Sequence, residues 1–155
     1  MKKILAITLI CLLVLPALTV QAVSAKAAGP KIIHCDQMIV FDTINSDHWI
    51  GTLSGCELAG TIEYWETDQN YVVGKTEHFF EIFKITTPNG VISGWDNGVW
   101  NFSTFKFRAE GRVTAAYGDW AFLLGYKFHE MGTTTDPFDP NATVIYGPST
   151  MFLAP

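Results

Sequence analysis

The chain has 155 residues and a formal net charge of −5 at neutral pH, with 15 acidic and 10 basic side chains. Because no basic cluster offsets this acidity, we expect neither nucleic acid nor an anionic membrane surface as a partner. The length is that of one domain with a single hydrophobic core.

The N-terminal segment has the pattern of a secretory signal peptide. Lys2 and Lys3 precede an apolar run over residues 4–15, and the small residues Val23-Ser24-Ala25 follow it. We therefore predict a signal peptide over 1–25 and a single domain over 26–155, located outside the cytoplasm, either secreted or periplasmic. An uncleaved leader that anchors the chain is the alternative; after cleavage we expect no membrane contact.

Two cysteines follow the leader, Cys35 and Cys56. In an oxidising compartment such a pair favours a disulfide. Free thiols, or a metal site built with His34 and His48, are the alternatives. Zinc sites usually contain a closely spaced pair such as C-x2-C, which is missing here, so we predict no metal.

The rest of the chain is rich in aromatic and β-branched residues that are interrupted by Gly, Asn and Pro, a pattern typical of all-β domains. Pro88-Asn89-Gly90 predicts a turn, and Asp96-Asn97-Gly98 predicts a type I′ hairpin turn. The eight predicted strands, in chain order, are 35–43, 48–55, 58–67, 72–87, 91–95, 99–116, 119–131 and 142–152.

Several of these strands have apolar residues on both faces. In 77–85, alternation places His78, Phe80 and Ile82 on one face; the other carries Glu77, Phe79, Glu81, Phe83 and Ile85. In 119–130, Trp120, Phe122, Leu124, Tyr126 and Phe128 fall on one face. A closed barrel with a partly covered exterior explains this pattern, as would a sandwich or an oligomer. The predicted fold class is all-β, a single antiparallel eight-stranded barrel after the signal peptide.

The stretch "NGVISGWDNGVWNFSTFKFRAEGRVTAAYGDWAFLLG" resembles, in its glycine and aromatic spacing, the central strands of the allene oxide cyclase and dirigent-like barrels. The resemblance covers roughly residues 74–132. It implies an eight-stranded antiparallel barrel with a central apolar cavity, often assembled as a homo-oligomer. Family members include a cyclase and proteins that steer radical coupling. None of their catalytic residues can be matched to positions of this chain.

Three functions remain open at this stage. The first is a secreted barrel that binds a small apolar ligand in its cavity. The second is a structural or interaction domain with a solid core, and the third an isomerase or cyclase that uses a buried Glu or His. No cofactor is predicted. The candidate ligand-binding residues are Phe80, Trp95, Trp100, Trp120, Tyr126 and His129.

Other residues carry separate predictions. Asn101 and Asn141 each begin an N-glycosylation sequon, which predicts a glycoprotein if the source glycosylates. His129-Glu130 is expected at a barrel mouth, where ligands enter. The charged candidates for acid–base chemistry, if they point inward, are Glu63, Glu77, Glu81, Arg108, Glu110, Lys127 and His129.

Overall fold

A computed structural model of the chain describes residues 29–41, 47–139 and 144–155. The predicted signal peptide and the sequon at Asn141 lie outside these residues. The described chain forms nine β-strands and one turn of 3-10 helix, η1. The elements are β1 Lys31–Phe41, β2 His48–Ser54, β3 Gly60–Glu66, β4 Tyr71–Val73, β5 Thr76–Thr87, β6 Gly90–Asn101, β7 Lys106–Gly118, η1 Ala121–Leu123, β8 Lys127–Thr133 and β9 Ile145–Ala154.

Eight of these strands close into an antiparallel barrel, as predicted. The strand order is β3-β2-β1-β9-β8-β7-β6-β5, and pairing of β3 with β5 completes the ring. The short strand β4 pairs only with the first residues of β5, next to the segment of β5 that pairs with β3. Closure leaves no free edge in the ring, which removes the main hazard of an exposed sheet.

One end of the barrel is filled by apolar side chains. Phe83 and Phe128 stack there with ring centroids 4.4 Å apart, and both are fully buried. The helical turn η1 covers this end with Leu123, which is also fully buried. Other large members of this core include Ile33, Leu53, Leu58, Ile62, Ile85, Ile92, Val113, Met151 and Leu153. We call this half of the barrel the closed end.

The predicted hairpin at Asp96-Asn97-Gly98 is wrong, because these residues lie inside the continuous strand β6. The turn between β6 and β7 comes later, at residues 102–105. Gly98 is needed for close strand packing: a Cβ there would lie 2.2 Å from the carbonyl oxygen of Arg108 and 2.5 Å from the ring of Phe79. A glycine in a strand can therefore mark a close approach of two backbones, as well as a turn.

The predicted strand 119–131 is only partly correct. Its first half folds into η1 and the adjoining turns, and strand β8 begins at Lys127. The side chains of Trp120 and Tyr126 are buried against the closed end, so apolar side chains in alternate positions produced a false strand pattern. The turn at Pro88-Asn89 joins β5 to β6 as predicted.

Cys35 and Cys56 form a disulfide, with Cα atoms 5.1 Å apart. It joins β1 to the turn that follows β2. The pair favours an oxidising environment, because disulfides are rare where thiols are kept reduced.

The outside of the barrel also carries apolar side chains. Ile50 and Ile82 are exposed by 40% and 50%, and all three residues of β4 are exposed. This two-sided apolar pattern is what led to the expectation of an oligomer, which stays a prediction.

Candidate functional site

The half of the barrel opposite the closed end contains a cavity. The centres of water-sized molecules can occupy about 70 Å³ of it, and its empty space is about 690 Å³ when the solvent in its open mouth is included. Much of its wall is aromatic or aliphatic, with Ile39, Trp49, Phe79, Trp100, Phe107 and Ile145. Five acidic residues also line it: Glu66, Glu77, Glu81, Asp96 and Glu130. Among the described residues that line this cavity, none is Lys, Arg or His.

Three of these carboxyl groups form a row across adjacent strands. Glu66 on β3 is paired with Glu81 on β5, and Glu81 is paired in turn with Asp96 on β6. Like charges directly opposite each other destabilise a sheet. Such a row is therefore costly unless protons or a bound cation neutralise it.

Asp96 is the most deeply buried member of the row. Its side chain is 1% exposed, and neither carboxyl oxygen has a hydrogen-bond partner. Gly111 is paired with it on β7, and a Cβ at Gly111 would lie 1.9 Å from the carbonyl oxygen of Trp95 and 2.8 Å from the Cβ of Asp96, so this glycine permits a close approach of the two strands. Buried polar groups are nearly always hydrogen-bonded, so an orphaned carboxyl in a cavity wall points to a group that is absent from the chain itself.

Glu130 on β8 is buried, and both of its carboxyl oxygens accept hydrogen bonds. Tyr64 Oη donates to one carboxyl oxygen at 3.2 Å, and Ser149 Oγ donates to the other. Gln37 Nε2 donates to Tyr64 Oη at 3.0 Å, which fixes the phenol. The Oε1 atom of Gln37 has no partner, so it is a second orphaned acceptor in the cavity wall.

Burial raises the pKa values of the carboxyl groups. Desolvation raises the pKa of Glu130 from 4.5 to about 7, although its bonds from Ser149 and Tyr64 oppose the shift. Desolvation first, and then the charge of Glu130, raise the pKa of Asp96 well above its usual value. The pKa of Glu81 is raised for the same first reason, with Asp96 as its main charged neighbour.

Two further groups in the cavity wall, Glu77 and Tyr64, also have raised pKa values. Burial, and then the charge of Glu66, raise the pKa of Glu77. Burial also raises the pKa of Tyr64, so its hydroxyl stays a donor at neutral pH. Of the carboxyl groups in the cavity, Glu130, with a pKa of about 7, is partly protonated near neutrality.

The structure brings only one of the predicted ligand-binding residues to this cavity. Trp100 lines the wall, where its indole Nε1 donates to Thr134 Oγ1 at 3.1 Å. Phe80 and Trp95 stack on each other on the outer face, with ring centroids 5.8 Å apart. Trp120 and Tyr126 belong to the closed end. His129 faces outward and tilts against Phe152, whereas its neighbour Glu130 points inward.

Among the charged candidates, the predicted shared face of Glu77 and Glu81 is the inner one, and both line the cavity. Glu63 points outward to Lys84, whose Nζ lies 3.1 Å from Glu63 Oε1. The other outward candidates are Arg108, Glu110 and Lys127. The sequence pattern did not indicate Gln37, Tyr64 or Glu66 as site residues. It assigned Asp96 to a predicted turn.

Asn101 has a structural role at the end of β6. Its Oδ1 accepts hydrogen bonds from the backbone N–H groups of Ser103 and Thr104, both at 3.0 Å. Its use as a glycosylation site stays a prediction.

Within residues 29–41, 47–139 and 144–155, no three His, Cys, Asp or Glu side chains are arranged to hold a metal ion. In the same part of the chain, no helix is long and apolar enough to cross a bilayer. Comparison of the chain with family models, curated proteins and solved structures found no match. The closed barrel is compatible with the allene oxide cyclase and dirigent-like resemblance, but no relative supports membership of that family.

Proposed function

We propose that the protein is a secreted barrel that binds a small molecule with an apolar body in the open half of its interior. The observation that carries this proposal is the open-mouthed cavity with its wall of Trp49, Phe79, Trp100 and Phe107. Ligand pockets typically combine such an apolar lining with a few polar groups that fix orientation. A cavity lined in this way argues against the alternative of a structural domain with a solid core.

The division of the barrel supports the same proposal. The closed end is packed with fully buried side chains and supplies stability, so the open half can hold polar and incompletely packed groups. Eight-stranded barrels have interiors wide enough to be filled by side chains or to hold one small ligand. In this barrel, side chains fill one end and the cavity occupies the other end.

The test uses two tryptophans on opposite faces of β6. Trp100 lines the cavity, and Trp95 lies outside it. In a thermal-shift and fluorescence screen of small apolar compounds, we expect hits that bind wild type and the Trp95→Leu variant alike but bind Trp100→Leu more weakly. Absence of any hit, or equal loss in both variants, would refute the proposal.

A second candidate function is acid–base catalysis of an isomerisation or cyclisation. The observation that favours it is Glu130, whose pKa of about 7 lets the same group donate or accept a proton near neutrality. Once a ligand is known, its conversion to an isomer would be followed by chromatography. The Glu130→Gln variant is expected to bind the ligand but not to convert it. Recovery of only unchanged ligand from wild type would leave the protein a binder and exclude this candidate.

A further inference from the structure

We propose that the ligand of this cavity is an organic cation, a small amine whose ammonium group binds at Asp96 and whose apolar body lies against the aromatic wall. This inference rests on the proposed function, because it names the ligand class for the same cavity. It depends on three independent features: the orphaned acceptors, the unbalanced charge and the aromatic lining.

When Asp96 is ionised, the orphaned polar atoms that line the cavity are all acceptors. They are the two carboxyl oxygens of Asp96 and the Oε1 atom of Gln37. A ligand that satisfies them has to donate hydrogen bonds. An ammonium group has three N–H donors and no acceptor, whereas a carbonyl or carboxylate ligand would leave these atoms unsatisfied.

The charge of the cavity selects a cation among possible donors. Five acidic side chains line it, no basic side chain among its described lining residues balances them, and the row Glu66–Glu81–Asp96 places three of them on neighbouring strands. A cation at Asp96 would face Glu81 on β5, Glu66 and Tyr64 on β3 and Glu130 on β8. It would relieve the repulsion that this row creates. A neutral donor would not.

The aromatic wall suits an organic cation better than a metal ion. Trp49, Phe79, Trp100 and Phe107 line the same cavity as the carboxyl groups. Aromatic faces attract ammonium groups and also cover the apolar body of an amine. The carboxyl groups, in contrast, do not approach one another as the ligand set of a metal ion does among the described residues.

Binding of an amine also predicts a coupled release of protons. Carboxyl groups that are protonated in the free cavity would have to ionise in order to pair with the ammonium group. The affinity for an amine should therefore rise with pH as these groups ionise, over a range in which alkylamines stay charged. The affinity for a neutral compound of the same shape should stay constant.

The experiment compares 2-phenylethylamine with 2-phenylethanol by isothermal titration calorimetry on the mature, oxidised protein. Repeating each titration in two buffers of different ionisation enthalpy gives the number of protons released. We expect the amine to bind at least about tenfold more tightly than the alcohol near pH 8, with proton release. Calcium chloride serves as the metal probe, and we expect no binding.

The matched variants are Asp96→Asn and Glu110→Gln. Glu110 is an exposed carboxylate on the outer face of β7. We expect Asp96→Asn to lose the preference for the amine, and Glu110→Gln to keep it. If Asp96→Asn does not fold, as judged by circular dichroism, Glu81→Gln provides the same test because Glu81 is paired with Asp96.

The outcomes separate the inference from the function on which it rests. Equal binding of the amine and the alcohol, without proton release, would overturn the cation inference and support the binding function. Tight binding of calcium with no binding of the amine would overturn it in favour of a metal. Failure of both phenylethyl compounds, together with failure of the apolar screen, would overturn the proposed function and this inference with it.

Discussion

Glu81 on β5 lies directly opposite Asp96 on β6, and both carboxyl groups line the cavity of the barrel. Two acidic groups in this relationship repel each other and lose solvation, and neither effect helps the fold. We therefore interpret the pair as part of a binding or proton-transfer site. We expect this repulsion and loss of solvation to lower the free energy of unfolding of the ligand-free protein.

The free energy of unfolding should fall as the pH rises through the weakly acidic range. At low pH the carboxyl groups are protonated in both states, so burial costs little. As the pH rises, the unfolded chain releases protons first, because the folded pKa values are raised. For Glu130 the window runs from 4.5 to about 7, a difference equivalent to about 3 kcal/mol.

Urea unfolding midpoints measured across this range test the expectation. The Glu130→Gln variant is the control, because its amide does not titrate and its curve should be flatter. A wild-type midpoint that is constant or increases with pH would mean that these groups are not buried in the way described.

The substitution Asp96→Asn should stabilise the protein near neutral pH. The amide stays uncharged, and its NH2 group can donate to neighbouring carboxyl groups, whereas the native carboxyl has no partner. We expect a gain on the order of 1 to 3 kcal/mol near pH 8 and almost none in acid. Unfolding curves at both pH values measure it. Glu110→Gln on the outer face should change neither curve, and a loss of stability in Asp96→Asn would contradict the assignment.

The substitution Gly98→Ala should be strongly destabilising, by at least about 2 kcal/mol. The new methyl group would meet the backbone of Arg108 and the ring of Phe79. Gly29→Ala is the control, since no atom lies within 4 Å of the position of its Cβ. Thermal unfolding of the two variants measures the difference, and similar melting temperatures would show that Gly98 sits in a turn after all.

Reduction of the Cys35–Cys56 disulfide should lower the free energy of unfolding by about 3 kcal/mol, because the bond restricts the unfolded chain. Urea unfolding with and without a reductant measures the effect. The double variant Cys35→Ala/Cys56→Ala should be indifferent to reductant. If reductant also leaves the unfolding curve of the wild type unchanged, the two cysteines are free thiols in solution.

The barrel itself could be predicted from the sequence, because two-sided apolar alternation is a property of individual strands. The shared face of Glu77 and Glu81 followed from the same alternation, but which face of the strand points inward did not. Pairing of Cys35 with Cys56 required only their number and the expected compartment.

The rest of the site depends on strand register, which local patterns do not contain. Asp96 looked like a turn residue because Asn97-Gly98 follows it, and only the close approach of β7 explains that glycine. Trp120 and Tyr126 have the spacing of a strand face, yet they flank a helical turn that covers the closed end. The row of Glu66, Glu81 and Asp96 exists only because β3, β5 and β6 are neighbours in the closed ring.

The central claim is that a small molecule binds in the open half of the barrel, and the five tryptophans can report it directly. Trp49 and Trp100 line the cavity, Trp65 and Trp95 lie on the outer face, and Trp120 packs against the closed end. The measurement is the indole N–H region of a 1H–15N NMR spectrum during titration with 2-phenylethylamine or with a hit from the apolar screen. We predict that the signals of Trp49 and Trp100 shift while the other three stay in place. Shifts confined to Trp65 and Trp95, or no shift with any compound, would contradict the account.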